Sequence, residues 1–150
     1  MEFTPGVPGE VLDELQSEYF VPRHNAVEAI LAVEQLRDQI TPHLWNSEIR
    51  TVAADDLWMS TCYQRPSVAI HFTWRQHWPE IRLLLPIIER VLSPFQPRPH
   101  WGKLFTITPA ELQPRYEKLD EFIQLASVFD PKGKFRNDFL NTNIFNRCVT

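Results

Sequence analysis

A chain of 150 residues with 43% hydrophobic and 12% aromatic content is long and apolar enough to bury one core, which fits a single domain and excludes a disordered one. Its net charge of −4 excludes a protein built mainly to hold nucleic acid, because phosphate binding needs a concentrated basic face. The two cysteines, Cys62 and Cys148, are too few and too far apart for a disulfide framework or a zinc knuckle and read as reduced thiols.

Residues 1–10 carry Pro5, Gly6, Pro8 and Gly9, a linker composition that leads abruptly into a strand-like run, as at the start of a domain cut from something larger. Residues 16–22 read as a strand ended by Pro22, and 24–40 as a helix with Ala26, Ala29, Ile30, Val33, Leu36 and Ile40 at helical spacing. Over 45–54 the pattern alternates, with Glu48, Arg50 and Val52 on one face and Ile49, Thr51 and Ala53 on the other. Residues 67–74 repeat it, with Val68, Ile70 and Phe72 opposite Ala69, His71 and Thr73. A helix follows to Leu92, with Pro79 in its first turn and Pro86 placed to kink it. Its most apolar part, 81–88, contains Arg82 and Pro86 and is too short to span a bilayer. The N-terminus has no basic flank before an apolar run, so a soluble cytoplasmic protein without a membrane span is expected.

Residues 100–105 read as a short strand or loop. Thr108 caps a helix start with Pro109 at the first helical position and Glu111 two residues on. A helix over about 115–129 would bury Tyr116, Leu119, Phe122, Ile123 and Ala126, and a turn-rich, aromatic tail ends the chain. The thirteen prolines sit mostly between these elements, as stiff boundaries. This order predicts an α+β fold, a mostly antiparallel sheet with helices covering one face and the other free to cover a ligand.

Glu48 and Arg50, two apart on a strand, project from one face roughly 6–7 Å apart. They read either as a solvated ion pair or as a carboxylate accepting hydrogen bonds from polyol hydroxyls beside a guanidinium that stabilises an alkoxide. His71 and Thr73 repeat the geometry, as hydrogen-bonded structural residues or as further polar groups converging on a ligand. No second histidine stands at metal-ligand spacing, and no metal site is expected. Lys103 follows Gly102 in an aromatic segment, either as an edge-protecting lysine or as an ammonium held against a substrate oxygen. Gln16 could reach a distal hydroxyl. Trp58, Trp74 and Trp101 read as core or interface anchors. Glycine-rich phosphate loops and nucleophile elbows are missing, so nucleotide-binding and hydrolase readings lack support.

Four ordered motifs go further: Ser47-Glu48-Ile49-Arg50-Thr51-Val52, Val68-Ala69-Ile70-His71-Phe72-Thr73-Trp74, Arg98-Pro99-His100-Trp101-Gly102-Lys103 and Phe129-Asp130-Pro131-Lys132-Gly133-Lys134-Phe135. Together, over about 16–145, they resemble the C-terminal part of bacterial alditol (xylitol) oxidases. These are flavoproteins of the vanillyl-alcohol-oxidase type, related to the D-arabinono-1,4-lactone and L-gulonolactone oxidases. The resemblance implies a substrate (cap) domain whose segment of about 129–150 packs on an FAD-binding domain N-terminal to it and absent from this chain. In such enzymes a primary alcohol of a polyol, such as xylitol or sorbitol, gives a hydride to the flavin, and dioxygen leaves as hydrogen peroxide. It further implies that Arg50 and Lys103 stabilise the reacting hydroxyl as its alkoxide, that Glu48 binds a neighbouring hydroxyl, that His71, Thr73 and Gln16 line the remaining polyol, and that His100 and Lys103 lie near the flavin. The isolated chain is then expected to be inactive, with an exposed apolar docking face that favours dimerisation. An aldonolactone oxidase domain and a non-catalytic stand-alone binding module are the alternatives.

Overall fold

The computed structural model describes residues 14–146 and begins with strand β1 (Leu15–Pro22). Alternation sends Ser17, Tyr19 and Val21 to one face of the sheet and Gln16, Glu18 and Phe20 to the other. Pro22 closes the strand, and a 3₁₀ turn (Arg23–Asn25) leads into α1 (Ala26–Glu34). The single helix expected over 24–40 is broken here. Leu36 takes a backbone near φ −95°, ψ 7°, and its N–H bonds Val33 O, a 3₁₀-type tightening from which α2 (Arg37–Ile40) restarts. The apolar positions still face inward, with Ala26, Ala29, Leu36 and Ile40 buried.

β2 (Leu44–Val52) starts one residue earlier than the alternation predicted and ends two residues sooner, and a bulge between Leu44 and Asn46 leaves Trp45 exposed beneath the Arg75 guanidinium. β3 (Ser67–Trp74) pairs antiparallel with both β2 and β1. α3 (Trp78–Leu92) runs through Pro86 as one helix, with Pro86 on its exposed side and Ile81, Leu84, Leu85, Ile88 and Leu92 buried. β4 (Arg98–Pro99) joins the other edge of β1, giving the order β2-β3-β1-β4. Of the two forms expected for residues 100–105, strand or loop, the chain takes the loop, tied to β1 by His100 N–H to Glu18 O (2.9 Å) and Leu104 N–H to Gln16 O (2.8 Å).

α4 (Pro109–Leu112) carries the predicted Thr108 cap, closed as a capping box by Glu111. The helix expected from 115 starts later. Gln113–Arg115 is a 3₁₀ turn containing Pro114, Tyr116 is extended (φ −115°, ψ 98°) to bury its ring under the Arg98 guanidinium, and α5 spans Leu119–Phe129. Tyr116 and Leu119 are buried, whereas Phe122, Ile123 and Ala126 are only half-buried. Leu125, Val128, Phe129 and Phe135 leave an apolar surface on α5 and the turn after it. α6 (Asp138–Leu140) and a π turn (Asn141–Phe145) bring Ile144, 2% exposed, back onto the domain's own core.

The helices pack on the sheet face formed by Tyr19, Val21, Val68, Ile70, Phe72 and Trp74, which is the predicted α+β arrangement. Trp74 is buried there and donates to Ser17 Oγ (2.8 Å). Trp101 is half-buried and donates to Met59 O (2.9 Å), and Trp58 is exposed. On the other face a small cluster of Phe20, Cys62 and Ala69 covers one end, and the remainder is polar. Cys62 is a free, buried thiol. Cys148 and the linker-like residues 1–10 lie outside the described residues, among which no helix is long and apolar enough to cross a membrane and no group of three His, Cys, Asp or Glu could hold a metal ion.

Candidate functional site

The strand register assembles the polar face. Glu48 on β2 stands opposite His71 on β3, which stands opposite Glu18 on β1, and the next row reads Asn46, Thr73, Gln16. Directly opposed residues on one face lie about 4.5–5.5 Å apart at Cβ, so each row is a line of neighbouring side chains. Arg50, one row further along β2, reaches back. Its Nε donates to Glu48 Oε2 (3.0 Å) and its Nη1 to Glu18 Oε1 (3.0 Å). Asn46 Nδ2 donates to the other Glu48 oxygen (3.2 Å), and Gln16 Nε2 to Glu14 Oε2 (2.8 Å).

Lys103 enters from the loop after β4. Its Nζ donates to Glu18 Oε2 at 2.6 Å and to His71 Nδ1 at 3.0 Å. An ammonium only donates, so Nδ1 is the acceptor and the imidazole proton sits on Nε2, donating to Thr73 Oγ1 (3.0 Å). The Thr73 hydroxyl proton is thereby directed away from His71. Burial, with the Lys103 charge added, holds the His71 imidazole below the ordinary histidine range despite the opposing pull of Glu18. His71 is therefore neutral, and its 3.6 Å approach to Glu18 is not an ion pair.

Glu18 joins the site without a motif of its own in the sequence; it stands two positions after Gln16 and so shares its face. Its side chain is 5% exposed. Burial alone would raise its pKa, but the Lys103 hydrogen bond and the charges of Lys103 and Arg50 outweigh this and hold the carboxyl below its ordinary range. Hydrogen bonding to the Glu48 carboxylate is the main reason the Arg50 guanidinium is held more firmly charged than usual.

These groups line an open cavity of about 400 Å³ whose walls are Glu14, Gln16, Trp45, Asn46, Glu48, Arg50, His71, Thr73 and Lys103. Six sequence-chosen residues, Gln16, Glu48, Arg50, His71, Thr73 and Lys103, meet there. Glu14, Trp45 and Asn46 join them unpredicted; for Asn46 the available signal was its alternation with Glu48. His100 stands apart from the cavity. Its Nδ1 accepts from Gly102 N–H (3.1 Å), its ring stacks 6.3 Å from Phe20, and burial lowers its pKa. A Cβ at Gly102 would meet only the His100 ring, at 3.5 Å, so packing within the domain does not require glycine there.

The cavity size is ordinary for a small-molecule site. Two cations and two exposed carboxylates in a polar trough can bind hydroxyls in both senses and stabilise an oxygen that gains negative charge.

A profile of the D-arabinono-1,4-lactone oxidase family matches residues 12–143. The alditol oxidase of Streptomyces sp. (strain IKD472 / FERM P-14339) is 45% identical over 142 residues, covering 93% of this chain and 32% of that protein. The L-gulono-1,4-lactone dehydrogenase of Mycobacterium tuberculosis (strain ATCC 25618 / H37Rv) is 33% identical over 127 residues, covering 83% and 29%. The L-gulonolactone oxidase of Mus musculus is 25% identical over 130 residues, covering 82% and 29%. The chain thus spans about a third of the length of these curated relatives.

Proposed function

Because the chain belongs to the D-arabinono-1,4-lactone oxidase family, we propose that it is the substrate-binding part of an FAD-dependent oxidase that converts a polyol primary alcohol to the aldehyde while dioxygen becomes hydrogen peroxide. The observation that carries the reading is the trough itself, where Arg50 and Lys103 flank a neutral His71 and Glu48 offers an exposed acceptor. A linear polyol suits it, since the second row, Asn46, Thr73 and Gln16, extends the same polar strip by one residue pair. The alternative substrate is a sugar 1,4-lactone, which the Mycobacterium and mouse relatives favour by name.

FAD fits this chain as a ring to be covered, not as a group to be cradled. Gly102 and Gly133 are the only glycines among the described residues and neither opens a helix, so no backbone nest for a pyrophosphate is offered. His100 and Lys103 would face the ring, and the main binding of FAD is assigned to another part of the parent protein. When bound there, the flavin supplies the hydride acceptor. The chain's own residues do the rest. Lys103 and Arg50 donate to the reacting oxygen and stabilise the negative charge that develops on it, Glu48 accepts a hydrogen bond from the neighbouring hydroxyl, and the Thr73 hydroxyl donates along the chain. The apolar surface of Leu125, Val128, Phe129 and Phe135 would then meet the flavin-binding part, and left uncovered would favour dimers of the isolated chain.

The test is anaerobic flavin reduction by xylitol and by D-arabinono-1,4-lactone in the flavin-loaded parent. Arg50→Ala and Lys103→Met are each expected to slow reduction by about 100-fold or more, the usual cost of losing one charge-stabilising donor. Reduction rates unchanged in both variants would refute the assignment.

A further inference from the structure

Glu18 binds no substrate in the scheme above, being covered by the groups that do. Yet its two oxygens are divided, Oε1 to Arg50 (3.0 Å) and Oε2 to Lys103 (2.6 Å). Each of the two proposed charge-stabilising cations therefore has one oxygen of the same buried carboxylate as an anchor. The backbone of this strand repeats the connection, because Glu18 O and Gln16 O accept the N–H groups of His100 and Leu104, which bracket Lys103 in the loop. Loop and ammonium are thus both set by β1.

Without a carboxylate at this position the arrangement would not stand. Lys103 is a compact charge on a flexible four-carbon stem, and its side chain is only 17% exposed. Its charge already opposes protonation of His71, and the Arg50 charge acts in the same direction. With Glu18 neutral, the ammonium would gain more by swinging into water than by staying in the cluster. In place, two of its three N–H bonds are committed to Glu18 and His71, and a single N–H remains for a ligand oxygen.

We propose that Glu18 is a positioning residue of this site, whose buried carboxylate sets where the Lys103 ammonium and the Arg50 guanidinium stand and leaves Lys103 one outward donor. The inference rests on the functional reading above for its effect on turnover, and on the geometry alone for its effect on Lys103 and His71.

Two readouts separate these. In the 150-residue chain, side-chain NMR of Lys103 Nζ and the His71 ring nitrogens is compared for the parent, Glu18→Gln and Glu18→Asp. Gln keeps the size but cannot accept from both cations, since one end of its amide is a donor. The parent is expected to show slowly exchanging Lys103 Nζ protons and a His71 Nε2–H tautomer. Both signatures should be lost in Glu18→Gln and at least one regained in Glu18→Asp, while both variants keep the dispersed backbone amide spectrum of the folded chain. In the flavin-loaded parent, Glu18→Gln is expected to slow flavin reduction by xylitol at least 30-fold with less than a threefold change in KM, with Glu18→Asp recovering part of the rate.

Retention of the Lys103 and His71 signatures in Glu18→Gln would overturn the proposal, as would flavin reduction within threefold of the parent. Should neither xylitol nor the lactone reduce the parent's flavin, the functional reading fails, and the NMR comparison alone decides the role of Glu18.

Discussion

Replacing Glu89 by leucine tests whether the buried polar pair behind the sheet is held as the structure describes. Glu89 projects from α3 into the core, where Oε1 accepts from Tyr19 Oη (2.8 Å) and Thr106 N–H (2.7 Å), and Oε2 accepts from the Thr106 hydroxyl. Thr106 is exposed and recovers water when the carboxylate goes; Tyr19 is 0% exposed and cannot. An orphaned buried donor costs about 1–3 kcal/mol, so Glu89→Leu should lose about 2–3 kcal/mol once the weaker Thr106 contacts are included. For a domain of this size that lowers the thermal midpoint by about 5–10 °C. Tyr19→Phe in the same background removes the orphan, and urea titrations of the four species should give a coupling of about 1–2 kcal/mol. A coupling below about 0.5 kcal/mol would refute the argument that the Tyr19 hydroxyl depends on Glu89. The pH dependence gives a second check. Burial raises the Glu89 pKa despite its hydrogen bonds, so the folded state prefers the protonated form. Its contribution to stability therefore falls as pH rises from the ordinary value of 4.5 through the higher folded value, and Glu89→Gln should flatten that fall.

Pro86 removes an N–H from the exposed side of α3, so Pro86→Ala should raise stability by about 1–2 kcal/mol after the entropy gained by the unfolded chain; a lower urea midpoint would contradict this. The Tyr116 hydroxyl is buried without a partner, and burial holds its pKa well above the usual phenol range. Tyr116→Phe should therefore leave stability unchanged or raise it by up to about 1 kcal/mol, and a clear loss in denaturant titration would show a missed contact. The folded pKa of His71 lies below 6.5, so the unfolded state takes its proton first as pH falls. Stability is full above 6.5 and lost as pH drops through the folded value. Glu18, also lowered, adds a second loss that begins below 4.5. Denaturant midpoints between about pH 7.5 and 5 should fall in the parent and flatten in His71→Asn, and equal slopes would remove His71 from the cause.

Much of this domain can be read locally. Period-two alternation over 45–54 and 67–74, and the extended run 16–22 ended by Pro22, mark the three strands to within two residues and sort Glu48, Arg50, His71 and Thr73 onto polar faces, because side-chain direction along a strand depends only on the neighbouring residues. The Thr108-Pro109-Ala110-Glu111 start is equally local, since a capping box closes within one turn. Family membership also follows from residues in order along the chain.

Other features depend on contacts between distant residues. That Glu48, His71 and Glu18 form one row is a matter of register between β2 and β3 and between β3 and β1, the last two more than forty residues apart, and the bulge that exposes Trp45 is announced by no pattern. The late start of α5 has the same origin, because Tyr116 leaves helical geometry to place its ring beneath Arg98. Glu18 illustrates the difference most directly. By itself it is a charged residue in an apolar strand, and only the loop that folds Lys103 across β1 and the strand that brings Arg50 alongside supply the two cations that allow a carboxylate to be buried there.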